Sequence, residues 1–328
     1  MSRKLPALLL LASACATVRP ERGHNQVDEL VDTRLGVETG WGAGDPGAEA
    51  ISERVDELLG AGLTRERAIR IALLNNPELR ATYAGLGVSQ ADMVQAGLLS
   101  NPVLAGSVGF PIGNGGRDRL EYEASLVHSL LEVFVLPLRK RVAKEQFTVD
   151  LLRVADRAVE VATQASHALV RYQAADRALE LQRVLLHVAK AAAAEAEARY
   201  HAGNTTRLER DTERAAYEEE RRAFAIAELE RIEAREELNR VLGLWGAQTE
   251  CTLAEPLREA LAEDPDLEDL ESLALRQRLD VDAARRQVFL MHNAVRVART
   301  SRFTGPVEVG VHIHQDPHGP RLLGPTLA

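Results

Sequence analysis

The chain has 328 residues, of which 45% are hydrophobic and 27% charged, with a formal net charge of −9. That balance suits a folded protein and speaks against nucleic-acid binding, because phosphate contacts need a basic surface and no basic patch stands out. No apolar run reaches the ~18 residues that a membrane-spanning helix needs, so any bilayer crossing must be made by strands. Aromatic residues are only 4% of the chain, and a compact aromatic-rich core is not expected.

At the N-terminus Arg3 and Lys4 precede the apolar run Leu5 to Leu11, and Ala12, Ser13 and Ala14 lead to Cys15. This is the layout of a bacterial secretory signal over residues 1–14. Small residues directly before a cysteine resemble a lipobox, in which the thiol is acylated, with Ala12 where that motif usually has Leu. Cys15 is therefore the candidate lipid attachment residue, and the non-aspartate Ala16 favours outer-membrane sorting. A plain signal peptide with an incidental cysteine is the other reading. Cys251 is the second of only two cysteines and has no partner if Cys15 is acylated, so no disulfide framework is implied.

Residues 15–62 read as a polar, lipidated tether, with a loop at Gly40 to Gly47 and at most a short helix around Ile51 to Leu59. A first repeat is expected over 63–243. Thr64 caps a helix with Ala68, Ile69, Ala72 and Leu73 on its apolar face; Pro77 kinks or divides it, and Asn101-Pro102 ends it. The period then changes to two. Val103 to Ile112, a turn at Gly113 to Gly116, and Arg119 to Leu130 form a hairpin, with Leu120, Tyr122, Ala124 and Leu126 on one face and Glu121, Glu123 and Ser125 on the other. Each arm approaches the length of a tilted transmembrane strand, and Val103, Val108, Phe110, Leu120, Tyr122 and Leu126 are the candidate membrane residues. A hairpin alone is marginal in water, so something must pair with its edges.

From Pro137 to Ala202 there is no further proline and no glycine. Steps of four and three from Phe147 pass through Leu151, Val154, Ala158, Val161, Ala165, Ala168, Tyr172, Ala175, Leu179, Gln182, Leu186, Ala189, Ala193, Ala196 and Tyr200, which is a coiled-coil seam on a helix roughly 100 Å long. Gly203 supplies a left-handed stop, and Thr205 or Thr206 caps an antiparallel return helix to about Leu242-Gly243. Residues 244–269 form a mid-height insertion, and a further helix runs from Leu270 to Thr300. Ile71-Ala72-Leu73 aligns with Leu273-Ala274-Leu275, and Pro102-Val103 and Gly106 with Pro306-Val307 and Gly310, so residues 270–328 read as the start of a second repeat. That repeat reaches one strand, Val307 to Gln315. A full fourth strand and a second long helical hairpin are expected beyond it, and the chain reads as C-terminally truncated.

These stretches resemble the TolC-like outer-membrane efflux proteins, especially the branch serving heavy-metal and other cation efflux. The likeness is carried by Leu63 to Ala81 (LTRERAIRIALLNNPELRA), Gln95 to Leu104 (QAGLLSNPVL), Leu136 to Val142 (LPLRKRV), Tyr200 to Leu208 (YHAGNTTRL), Ala234 to Trp245 (AREELNRVLGLW), Leu270 to Arg285, and Val307 to Leu327, in that order. The resemblance implies a mainly α fold in which long antiparallel coiled-coil helices build an α-barrel and antiparallel strands build a transmembrane β-barrel. It further implies a homotrimer in the outer membrane extending into the periplasm, acting as a passive exit duct for an inner-membrane pump. A periplasmic adaptor would dock at the tip formed by Ala202, Gly203, Asn204, Thr205, Thr206 and Leu208. Three strands and part of a fourth fall short of the family's barrel, which leaves a fragment, or a lipid-anchored periplasmic coiled-coil scaffold, as alternatives.

No enzyme is expected and no cofactor is implied. His312, His314, Asp316 and His318 fall in alternation, and imidazole is a common ligand, but Pro317, Gly319 and Pro320 make this a turn. His312, His314 and His318 are the nearest approach to a metal site, and none is expected. The remaining histidines are dispersed without metalloprotease spacing, Gly113 to Gly116 lies between strands rather than before a helix, and no serine or cysteine has a nucleophile-elbow context.

Overall fold

The computed structural model describes residues 21–37, 39–41, 46–110, 121–129, 131–258, 269–303, 307–315 and 319–327. In chain order the elements are α1 (Glu21–Leu35), α2 (Ala48–Gly60), α3 (Arg65–Asn75), α4 (Pro77–Ala96), β1 (Val103–Gly109), β2 (Glu121–Ser129), α5 (Leu131–His201), α6 (Arg207–Leu242), a 3₁₀ turn (Gly246–Thr249), α7 (Leu270–Gln277), α8 (Leu279–Phe303), β3 (Glu308–Gln315) and β4 (Arg321–Leu327). Two compact units result, one from His24–Ala84 with Val154–Gln277, the other including Gly85–Arg153 and Arg278–Ala328.

The first unit is helical. Thr64 caps α3 by accepting from the Arg67 N–H. At the break before Pro77, Asn76 acts twice. Its Oδ1 accepts from the N–H groups of Glu78 and Leu79, both at 3.0 Å, and its Nδ2 donates to the Val241 carbonyl at 2.8 Å. Pro77 follows as the first helical residue, where its missing N–H costs nothing. Neighbouring Asn75 donates to the carbonyls of Leu242 and Gly243. Gly243 ends α6 at φ 70°, with its own N–H on Arg240 and that of Leu244 on Asn239. This double bond pattern around a left-handed residue is a Schellman motif.

Along α5 the expected seam is real: Phe147, Leu151, Val154, Ala158, Val161, Ala165, Ala168, Tyr172 and Leu179 are buried, and the later members from Gln182 to Tyr200 are half-buried. α6 runs antiparallel to the later part of α5. Asp176 pairs with Arg231 at 2.6 Å, Gln182 bonds Glu220, and Glu197 meets Arg210 at 3.8 Å, so the partner number falls as the residue number rises.

Three expectations are corrected here. The stretch read as a polar tether, 15–62, holds the expected short helix as α2 but also a second one, α1, and His24, Val27, Val31, Val37, Thr39, Trp41, Ile51 and Val55 are buried. Trp41 stacks on Tyr83 with centroids 5.0 Å apart and donates its indole N–H to the Leu73 carbonyl at 3.0 Å, while His24 sits edge-on to both rings. Buried tyrosine hydroxyls seek a partner, and the Tyr83 hydroxyl bonds Thr39 Oγ1, which in turn bonds Asp28. The long helix begins at Leu131 rather than Pro137; proline so near the start removes a single hydrogen bond from an early turn. The expected helix from Leu270 to Thr300 is divided at Arg278. The α3–α4 break at Asn76 and the α7–α8 break at Arg278 stand 202 residues apart, the same spacing that separates Ile71-Ala72-Leu73 from Leu273-Ala274-Leu275.

The second unit holds a four-stranded antiparallel sheet in the order β1-β2-β3-β4. A fourth strand is therefore present at Arg321–Leu327, against the expectation of one reaching only past residue 328. Pro320, Gly324 and Pro325 hid it. Proline is tolerated on an edge strand, where a ladder donor is dispensable, and β4 is an edge of this sheet. The turn expected at Gly113 to Gly116 and the signal segment 1–14 lie outside the described residues.

Candidate membrane sheet and docking tip

Because directly opposed residues share a face, the register assigns every strand side chain to one side of the sheet. One face carries Leu104, Val108, Tyr122, Ala124, Leu126, Val309, Val311, Ile313, Leu323, Pro325 and Leu327. The other carries Ser107, Glu121, Glu123, Ser125, Ser129, Glu308, His312, His314 and Thr326.

The apolar face is left uncovered: Leu104 is 76% exposed, Leu323 73% and Leu327 80%. On the polar side Ser107, Glu121, Glu123, Glu308 and Leu322 are exposed, and Ser125, Ser129, His312, His314 and Thr326 are half-buried. Water would drive the apolar face inward by burial of its area. A surface arranged the other way suits hydrocarbon outside and water within, the alternation of membrane barrels. Among the described residues no helix is long and apolar enough to cross a membrane.

Of the residues singled out from sequence, Val108, Tyr122 and Leu126 lie on the apolar face. Val103 does not: its pairing with Val127 puts it on the polar side, because a strand reverses face at every residue. Phe110 follows β1 and is 71% exposed. Leu120, His318 and Cys15 lie outside the described residues. His314 stands opposite Glu123, and His312 opposite Ser125; among the described residues no three metal-ligating side chains gather at one point. The face assignment of β3 and β4, with Arg321 at the end of β4, was not read from sequence, although the alternation in Val309, Val311 and Ile313 carries it.

The tip of the α5–α6 hairpin is built by capping. Gly203 adopts φ 75°, with its N–H on the Tyr200 carbonyl and that of Asn204 on Arg199. Thr206 caps α6 through a capping box: its hydroxyl accepts from the Glu209 N–H at 3.2 Å, and the Glu209 carboxylate accepts from the Thr206 N–H at 3.0 Å. The Thr205 hydroxyl also donates to Glu209. These bonds, that of Thr205 foremost, hold the Glu209 carboxyl below its ordinary range. Arg210 ties the two helices together: its guanidinium lies 4.3 Å from the Tyr200 ring centroid and pairs with Asp211 and Glu197. Ala202, Gly203, Asn204, Thr206 and Leu208 are exposed, Leu208 to 76%, and Thr205 is half-exposed. Arg210 and Glu209 were missed in the sequence, although the Thr-x-x-Glu spacing announces the box.

Long antiparallel helices joined to a four-stranded sheet with an uncovered apolar face define a TolC-like efflux-channel fold. The chain belongs to the outer membrane efflux protein family, whose model matches residues 68–244, just over half of its length. Solved structures agree on the fold. A membrane protein from Pseudomonas aeruginosa superposes with TM-score 0.63 at 18% identity, over 80% of this chain and 65% of that one. The outer membrane protein VceC from Vibrio cholerae gives 0.60 at 16% identity, over 84% of this chain and 68% of that one. The Campylobacter jejuni outer membrane channel CmeC gives 0.58 at 14% identity, over 92% and 66%. The chain thus spans about two thirds of the length of each. No curated protein sequence matches it.

Proposed function

We propose that the chain is a protomer of a passive outer-membrane exit duct in a tripartite efflux system. Three copies would pair β1 of one with β4 of the next, closing a barrel that has no free edges. The helical hairpins would form the periplasmic tube, an adaptor would dock at the exposed Ala202 to Leu208 tip, and an inner-membrane pump would choose the cargo. Residues 63–243 would be the first repeat, 244–269 a mid-height insertion, 270–328 the opening of the second, and Cys15 the lipid anchor. Heavy-metal cations or drugs are the cargo classes the resemblance favours. No step of this function requires catalysis.

The carrying observation is the outward apolar face, with Leu104, Leu126, Val311, Leu323 and Leu327 exposed on one side of one sheet. Supporting it, the hairpin leaves Leu181, Val184 and Val188 of α5 and Ile226, Leu229 and Ile232 of α6 exposed, apolar surface that suits burial between copies. The test is extraction from the envelope fraction with detergent and electrophoresis with and without heating. A trimer band that collapses on boiling is expected; a monomer recovered only from the soluble fraction would overturn the reading.

A further inference from the structure

The apolar face is ordered in rows across the strands. At the end nearest the β1–β2 and β3–β4 connections the row is Val108, Tyr122, Gln315 and Arg321. Next come Gly106, Ala124, Ile313 and Leu323, then Leu104, Leu126, Val311 and Pro325, and last His128, Val309 and Leu327. Only the first row contains a cation. It is organised: Arg321 Nε donates to Gln315 Oε1 at 2.8 Å, and the guanidinium carbon stands 5.8 Å from the Tyr122 ring centroid. Phe110, exposed just beyond β1, adds a second aromatic at the same end.

Six residues separate Tyr122 from His128, about 20 Å along a strand, comparable to the ~25 Å apolar band of barrel proteins. Tyrosine and arginine collect at the two edges of such a band, with the ring at the hydrocarbon boundary and the charged head beyond it. Arg321 has five N–H donors in a fork that fits a phosphate. One goes to Gln315, and among the described residues no carboxylate pairs with it. A free anion would gain nothing from the apolar rows beside this cation, whereas a lipid offers phosphate and acyl chain together.

We infer that the Tyr122, Gln315 and Arg321 row is the sheet's contact with lipid headgroups, Arg321 holding a lipid phosphate and Tyr122 marking the edge of the hydrocarbon. The inference rests on the reading of the sheet as membrane-embedded.

Two experiments on the full chain test it. In vesicles of phosphatidylethanolamine and phosphatidylglycerol, tryptophan placed by Tyr122→Trp should be quenched most by lipids brominated near the headgroup, and that placed by Leu126→Trp most by lipids brominated deep in the chains, after subtracting the wild-type signal of Trp41 and Trp245. In detergent, native mass spectrometry should show Arg321→Gln binding phosphatidylglycerol about fivefold more weakly, the worth of one basic residue at an anionic surface, with Arg321→Lys keeping most of the affinity and inorganic phosphate failing to compete. Equal quenching depths for the two positions, or unchanged lipid affinity in Arg321→Gln, would overturn the inference and leave the membrane reading standing. Displacement by inorganic phosphate would reassign Arg321 to a free anion. Absence of quenching at both positions would overturn the membrane reading itself and this contact with it.

Discussion

Asn76 Nδ2 donates to the carbonyl oxygen of Val241 at 2.8 Å while Asn76 Oδ1 caps α4, so one buried side chain both starts a helix and fastens it to the end of another. Asn76→Ala removes the cap, costing about 1 kcal/mol, and strands a buried carbonyl, costing about 1–3 kcal/mol more. A loss of ~2–4 kcal/mol in urea unfolding is expected. Asn76→Asp keeps the cap but turns a donor into an acceptor facing the Val241 carbonyl, and should be no better than the alanine variant. An Asp variant with wild-type stability would show that the bond to Val241 carries nothing.

Glycine at position 310 is required by a close approach within the sheet. A Cβ there would lie 2.5 Å from the Leu126 carbonyl oxygen and 2.7 Å from Thr326 Oγ1. The threonine can turn aside, but the carbonyl belongs to the β2 ladder and cannot move without disturbing the pairing. Gly310→Ala is expected to cost about 1–3 kcal/mol, as overpacking does. The oligomer band expected from unheated samples should weaken or vanish, while the helical signal in far-ultraviolet circular dichroism stays near wild type.

Much of this architecture is written locally. The seam from Phe147 to Leu179 was legible because burial repeats with the helical period, and Thr64, Gly203 and Gly243 were legible because caps and left-handed stops demand particular residues. The sequence alignment of Gly106 with Gly310 also has a physical basis: a Cβ at either would press on a β2 carbonyl, that of Glu123 for Gly106 and that of Leu126 for Gly310. What escaped depends on contacts distant in sequence. His24 and Trp41 sit in a polar, glycine-rich stretch and are ordered by Tyr83 and Leu73, which no local pattern discloses. β4 was hidden because Pro325 and Gly324 read as loop, although an edge strand tolerates both. The face that Val103 occupies is fixed by its pairing with Val127, and the first residue of a strand has only one neighbour from which to read alternation.

The N-terminal segment is held by one aromatic stack. Trp41→Ala removes a buried indole from Tyr83 and its bond to the Leu73 carbonyl, and Trp→Ala changes in a core cost about 3–5 kcal/mol. The cost falls on the docking of residues 24–41 onto α3 and α4, and less on the pairing of α5 with α6. Limited trypsin digestion should therefore cleave the variant rapidly at Arg34, which in the wild type is half-buried and bonded to the Gln277 carbonyl. Equal rates at Arg34 in the two proteins would mean that the stack does not fasten the segment.

The tip carries its own pH dependence through Glu209. The hydroxyl of Thr205, then the N–H and hydroxyl of Thr206, bond the carboxylate and lower its pKa, and its place in the first turn of α6 adds attraction to the helix N-terminus. A carboxyl depressed on folding stabilises the folded form fully above its unfolded value, and the gain disappears as pH falls through the depressed one. At neutral pH, Glu209→Gln should therefore unfold at lower urea than wild type. The gap should hold down to about pH 5 and close below about pH 4, where ordinary carboxyls protonate. Glutamine can still accept from the Thr206 N–H, so the part of the difference that closes with acid reports the charge. A gap independent of pH from neutral to acid would show that the capping box acts through its hydrogen bonds alone.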